Sequence, residues 1–145
     1  MSSDLDGVIE RVLGMKTIAV VGLSKDPAKP SHDVAKFMQR HGYRIIPINP
    51  TVDEVLSEKS YPSLLKLSDG LKREIEVVDI FRRSEDVPPI VAEAVQLRRN
   101  AGGPKAVWMQ LGIVNEEAAR SATESGMDVV MDRCMKIEYS RRPER

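Results

Sequence analysis

Five runs of β-branched and apolar residues are spaced along the chain: TIAVVG (17–22), YRIIPI (43–48), IEVVDIF (75–81), AVWMQL (106–111) and MDVVMD (127–132). Short runs of this composition, bounded by turn residues, read as strands. The first and fourth have too little polar alternation for a sheet with a wet face, which predicts strands covered on both sides, as in a parallel sheet. Helical patterns separate them at 31–41, 85–99 and 115–125, with a shorter one near 63–67 and another at 4–14. Gly42 and Gly126 close two of these helices, and Asn115 ahead of Glu116 and Glu117 caps the last, its side chain taking a free amide while the acids favour the positive helix end. The C-terminal SRRPER is expected to fray.

Strand-helix alternation with right-handed crossovers predicts a three-layer α/β fold built on a doubly wound, mainly parallel sheet of five strands. The expected strand order is 3-2-1-4-5, with a ligand crevice between strands one and four where the winding reverses. Four loops then share the carboxyl rim: 22–31, 49–51, 81–84 and 110–113. At 145 residues, without repeats or an internal linker, the chain is read as one domain, its core about 15–138.

The 22 basic and 22 acidic residues balance, so no global field draws the chain to nucleic acid or to an anionic membrane, and any basic site is local. The longest apolar stretches span five to seven residues, too few for a bilayer, and residues 1–15 lack the basic head and apolar body of a signal peptide. The expectation is a cytoplasmic protein. A lone cysteine, Cys134, and two histidines, His32 and His41, offer neither a disulfide nor metal-ligand spacing.

The loop after the first strand, GLSKDPAKPS (22–31), carries the strongest functional signal. Gly22 stands where a Cβ would block the close approach of a ligand, Ser31 where the next helix begins and can cap it, and Lys25 and Lys29 add mobile cations. A helix start with free amides attracts anions, phosphate above all. The loop therefore reads either as a diphosphate cradle or as an ordinary βα loop with a serine cap. It is no dinucleotide fingerprint, since Gly22-Leu23-Ser24-Lys25-Asp26-Pro27 has one glycine where that motif has three. Asn49-Pro50 occupies the place of the ribose-binding acid, and no Gly-Lys-Ser/Thr makes a P-loop. Phe81-Arg82-Arg83 ends the third strand at the same rim, to pack on a base and pair with phosphate, or to stand as a core ring followed by solvated arginines.

On these motifs the sequence resembles the small stand-alone CoA-binding proteins, which are similar in fold to the N-terminal domain of the succinyl-CoA ligase alpha subunit. VVGLS (20–24), KPS (29–31), GYRIIPINP (42–50), YPSL (61–64), VVDIFRR (77–83), VWMQLGIVNEEA (107–118) and DVVMDRCM (128–135) follow the family's pattern in order. The resemblance implies a Rossmann-like domain that binds coenzyme A. Its diphosphate would lie at Gly22, Ser24 and Ser31, with Lys29 nearby, and its adenosine against Asn49, Pro50, Phe81 and Arg82; Leu23 and Lys25 of the same loop complete the expected cofactor-binding residues there. Two stretches depart from the pattern: DGLKREIE (69–76), and TVDEVLSEKS (51–60), where the family often has a glycine.

Coenzyme A suits the inventory better than NAD does. Its diphosphate and ribose 3′-phosphate favour arginine and lysine, and its long arm would run past Gln110 and Gly112. Gln110 either bonds that arm or satisfies loop backbone. Cys134, between Arg133 and Lys136 in sequence, reads either as a thiol able to form a mixed disulfide with coenzyme A or as a small buried hydrophobe. His32 reads either as a solvated surface histidine or as a positive charge near a phosphate when protonated, Trp108 and Met109 as core, and Asp79 as a structural hydrogen-bond acceptor. No Ser-His-acid set or paired carboxylates assemble at the rim, so the expectation is a non-enzymatic carrier, sensor or accessory module. An NAD(P)-binding redox protein on the same fold, or an interaction module without a ligand, are the alternatives.

Overall fold

The computed structural model describes residues 3–142. Its main sheet has five parallel strands: β1 Thr17–Val21, β2 Arg44–Ile48, β5 Val77–Ile80, β6 Ala106–Met109 and β7 Asp128–Val130. Between β2 and β5 the strands β3 Glu54–Val55 and β4 Glu58–Lys59 form a small antiparallel hairpin. The helices are α1 Ser3–Leu13, α2 Pro30–Arg40, α3 Asp69–Glu74, α4 Val87–Ala101, α5 Glu116–Glu124 and α6 Met135–Ser140, with a short 3-10 turn at Leu64–Lys66. Neither the hairpin nor α6 is among the predicted elements. Among the described residues, no helix is long and apolar enough to cross a membrane.

The doubly wound parallel sheet is as expected, and β5 and β6 are buried at every position. The strand order is not. It is β2-β1-β5-β6-β7, which in order of the five long strands is 2-1-3-4-5, so the winding reverses between strands one and three. Crossover handedness explains which helices lie where. A right-handed connection that moves one way along the sheet covers one face, and a connection that moves the other way covers the opposite face. The crossover from β1 to β2 therefore carries α2 on one side. The crossover from β2 back to β5, like those from β5 to β6 and β6 to β7, runs over the other.

The two cores follow this division. One face packs Leu64, Leu67, Val91, Ala94, Leu97 and Ala122 against Val78, Ile80, Val107 and Met109. On the other, Val34, Ala35 and Met38 of α2 meet Ile9 and Leu13 of α1 and Met135 of α6, over Val20, Val77 and Trp108. A single crossover helix leaves this second face half bare, and the two terminal helices cover the remainder. Trp108 is wholly buried and its indole N–H donates to the Arg133 carbonyl at 2.8 Å, which satisfies the one polar atom of the largest core side chain.

Local signals behave as chemistry requires. Gly42 and Gly126 hold φ of +95° and +90° just after α2 and α5, and Asn115 Oδ1 accepts the Ala118 amide at 2.9 Å. The fraying expected at the C-terminus does not extend to Arg142. Its side chain is only 15% exposed and pairs with Glu10 at 2.6 Å and with Glu138 at 3.1 Å, clamping α6 onto α1. Residues 143–145, also part of that expectation, lie outside the described residues.

Candidate functional site

Because every long strand runs the same way, the four predicted loops do meet at one rim, but the crevice opens between β1 and β5. Val21 pairs with Ile80, so Gly22 stands beside Phe81. A Cβ on Gly22 would lie 2.5 Å from the Phe81 carbonyl oxygen and 3.0 Å from Arg82 Cδ, and φ there is +89°. Glycine is required here by the approach of two backbones.

A cleft of about 620 Å³ opens at this point, within the range of sites for small molecules. One wall is the β1–α2 loop, with Gly22, Ser24, Lys29 and Ser31; the facing wall brings Phe81, Arg82 and Arg83, and the floor Gln110 and Cys134. Apolar side chains, Val34, Leu111 and Ile113, complete it. Leu111 is 65% exposed, an apolar lip at the mouth.

The β1–α2 loop is tightly cross-braced. Ser31 Oγ accepts the Ser24 amide at 2.9 Å, Ser24 Oγ the Asp26 amide at 3.0 Å, and Asp26 Oδ1 the Ala28 amide at 3.0 Å. Ser31 therefore does not cap α2 as predicted. The N-cap is Lys29, without a side-chain cap bond, and Pro30 takes the first helical turn, where its lack of an N–H costs nothing. His32 is also not a surface residue. It is 9% exposed and its Nδ1 lies 2.9 Å from the Ser24 carbonyl. Several loop amides are thus engaged internally, and Gly22 N–H donates to Ile48 O at 2.9 Å. Among the described residues, the amides of Leu23, Lys25 and Ser31 have no hydrogen-bond acceptor, and of these three residues only Ser31 lines the cleft.

The remaining candidates divide. Leu23 has 0% exposure, main chain included; its side chain belongs to the core and it is not part of the cleft wall. Lys25 is exposed and is not part of the cleft wall. Asn49 is structural: its Nδ2 donates to the Leu23 carbonyl at 2.9 Å and its Oδ1 accepts from the Thr51 amide and hydroxyl. Pro50 lines a separate hollow of about 170 Å³ with Ile48, Leu64, Ile90 and Glu93, and Arg82 is shared between this hollow and the main cleft. Desolvation raises the Glu93 carboxyl above its ordinary value. Gly112 is not in the cleft wall; its amide donates to Asp132 Oδ1 at 2.7 Å and so braces the loop that carries Leu111 and Ile113. Arg82 and Arg83 both face Asp86, at 3.6 and 3.2 Å, and as half-exposed pairs they are weakly held.

Cys134 is half-buried and borders the cleft. The cations that flank it in sequence are each turned to a carboxylate, Lys136 to Asp33 at 2.9 Å and Arg133 to Glu138 at 3.9 Å. Gln110 satisfies backbone, one of its two predicted roles, accepting the Met135 amide at 3.4 Å through Oε1; it also lines the cleft and donates to Asp79 Oδ1 at 2.7 Å through Nε2. Asp79 accepts a hydrogen bond as predicted, and burial pushes its carboxyl up to about 7, with the Gln110 bond acting in the opposite direction. Asp86 and the apolar lip are not among the site residues predicted from the sequence. A βα loop with a polar helix start gives no sign of which polar side chain folds inward.

Known proteins are similar to this chain in sequence and in fold. The chain is 44% identical over 125 residues to the uncharacterized protein YneT of Bacillus subtilis, which covers 86% of both chains. It is 32% identical over 83 residues to acetate–CoA ligase [ADP-forming] II of Archaeoglobus fulgidus, covering 56% of this chain but 12% of that much longer protein. A hypothetical protein from Pyrococcus horikoshii OT3 superposes with a TM-score of 0.83 at 38% identity, over 94% of this chain and 90% of the other. The family described as the CoA binding domain matches residues 16–140. The chain belongs to the CoA-binding domain family.

Proposed function

We propose that this protein is a cytoplasmic, non-enzymatic module that binds coenzyme A or an acyl-CoA in the cleft between β1 and β5, as a carrier, sensor or accessory unit. The observation that carries this reading is the pairing, across one crevice, of the braced Gly22–Ser31 loop with Lys29 on one side and Arg82 and Arg83 on the other. The diphosphate sits at the free amide of Ser31, at the positive end of α2, where an anion is stabilised. Arg82, shared with the hollow at Pro50, extends the path for the phosphorylated ribose and base. The pantetheine arm lies along the apolar wall toward Gln110 and Cys134.

Family membership supports the ligand class, and the site supports coenzyme A over NAD. The side chain at the end of β2 is an amide already bonded to Leu23 and Thr51; no carboxylate waits there for a ribose.

Thermal unfolding with coenzyme A, acetyl-CoA, NAD and NADP side by side tests the reading, because a ligand that binds only the folded state stabilises it by about 2.7 kcal/mol at a hundredfold excess over Kd. Coenzyme A or its thioester should raise the midpoint and the nicotinamide cofactors should not. A shift with NAD alone overturns the proposal in favour of a redox protein, and no shift with any of them favours an interaction module.

A further inference from the structure

Two carboxylates are buried among the described residues, Asp79 at 1% and Glu138 at 4% exposure. Glu138 is met by arginines, Arg133, Arg141 and Arg142. Asp79 has no cation partner among the described residues. It sits within β5, in register with Val20 and Trp108, and its bonded neighbour is the Gln110 amide.

Gln110 is in turn held from both ends. Its Nε2 donates to Asp79, its Oε1 accepts from the first amide of α6, and its outer surface forms the cleft floor beside Cys134. A change of charge at Asp79 therefore reaches the cleft through one carboxamide. The other titratable groups on this face are engaged elsewhere. His32 of α2 bonds the Ser24 carbonyl, Asp33 pairs with Lys136 of α6, Glu138 pairs with its arginines, and Arg11 of α1 pairs with Asp128 of β7; Cys134 borders the cleft, and β1 and β6 present Val20 and Trp108 to Asp79.

We propose that Asp79 is a positioning residue that acts through Gln110, and that an anionic ligand entering the cleft is accompanied by uptake of a proton from solvent onto the Asp79 carboxylate. The inference rests on the coenzyme A reading. An ionised carboxylate in a dry sheet, with no counter-charge, repels a polyanion bound at the adjacent rim, so the occupied cleft favours the neutral acid. By reciprocity, protonation raises ligand affinity by the same factor that the ligand raises proton affinity. The group titrates near 7, which places the effect at physiological pH.

Two measurements test this. In the free protein, the NMR signals of the Gln110 side-chain amide should move with a midpoint near pH 7, and stay flat in Asp79→Asn, whose amide oxygen still accepts from Nε2. Coenzyme A affinity measured by calorimetry at pH 6 and pH 8 should weaken more in the natural protein than in Asp79→Asn, by about threefold or more. Titration of the ligand's own phosphate cancels in that comparison. Gln110→Met should also lose the extra pH dependence, and serves where Asp79→Asn folds poorly. Flat Gln110 signals in the natural protein overturn the positioning role, and equal pH 6 to pH 8 ratios overturn the proton linkage. If coenzyme A binds none of these proteins, the reading of the preceding subsection fails, while the Gln110 signals still decide the role of Asp79 and inorganic pyrophosphate, titrated instead, reads the linkage.

Discussion

The hydroxyl of Ser31 accepts the amide N–H of Ser24 at 2.9 Å, which ties the end of the β1–α2 loop back to its start. Ser31 is 5% exposed, so its removal leaves the Ser24 amide short of a partner that water replaces poorly. Ser31→Ala should cost about 1 kcal/mol of stability. It should also weaken coenzyme A binding by about tenfold, because the loop must then be ordered by the ligand. Urea denaturation and calorimetry read the two effects; an affinity equal to that of the natural protein would show that the brace has no part in binding.

Gly22 faces a main-chain oxygen that cannot move without dragging β5 with it, 2.5 Å from where a Cβ would stand. Gly22→Ala should destabilise by about 2 kcal/mol or more, lowering the unfolding midpoint by about 5 °C. Gly112→Ala is the control. Gly112 also has positive φ, at +83°, but open space at its Cβ position, so its substitution should cost only the left-handed backbone penalty, about 1 kcal/mol. Equal losses at the two positions would mean that the contact with Phe81 yields easily.

Much of this site was legible because strand ends and glycines leave strong local signals. The VVG and VVDIFRR runs place Gly22 and Phe81 at one rim whichever strand order holds, since parallel strands share their carboxyl side. The order itself was not legible. It depends on which face the connection from β2 to β5 crosses, and residues 49–76 contain a hairpin, a 3-10 turn and a six-residue helix instead of one long amphipathic helix that would mark a face. The roles of Ser31 and His32 were hidden for a related reason. Both turn back on Ser24, eight residues or fewer away, through a loop path that composition does not specify. Cys134 borders the cleft as the residue just before α6, and the sequence marks that six-residue helix weakly.

The hairpin between β3 and β4 turns through Leu56 and Ser57 at φ of +57° and +64°, a geometry that glycine and asparagine accept with less strain. Leu56 is anchored, its carbonyl accepting from Gln39 Nε2 at 3.0 Å and its side chain packing on the second core. Ser57 is exposed. Ser57→Gly should therefore stabilise the protein by about 0.5–1 kcal/mol, visible as a higher urea midpoint with unchanged slope. A loss of stability would indicate that the Ser57 side chain contributes more than its exposed position suggests.

Lys29 and Arg82 flank the cleft from opposite walls, and a polyanion between them should feel both. Lys29→Glu and Arg82→Glu should each weaken coenzyme A binding by about tenfold or more, and the deficit should shrink as salt is raised and the charges are screened. Stability should change by no more than about 0.5 kcal/mol, as for exposed side chains in general. Loss of affinity that persists unchanged at high salt would point to packing instead of charge. Unaltered affinity in both variants would remove the diphosphate from between these walls.

Asp79 makes a separate prediction about the folded state itself. Burial raises its carboxyl from 3.8 to about 7, so between those values the folded protein holds a proton that the unfolded chain has released. Stability must then fall as pH rises through this window, and the loss is complete just above 7. At about 1.4 kcal/mol per unit the full effect is roughly 4 kcal/mol. Asp79→Asn keeps an acceptor for Gln110 and carries no charge, so it should be more stable than the natural protein at pH 8, while the two converge toward pH 4. Urea denaturation of both proteins at pH 5, 6.5 and 8 measures the gap. A gap that widens as the pH rises is the expected outcome; curves that stay parallel would mean that the charge on Asp79 is compensated inside the sheet.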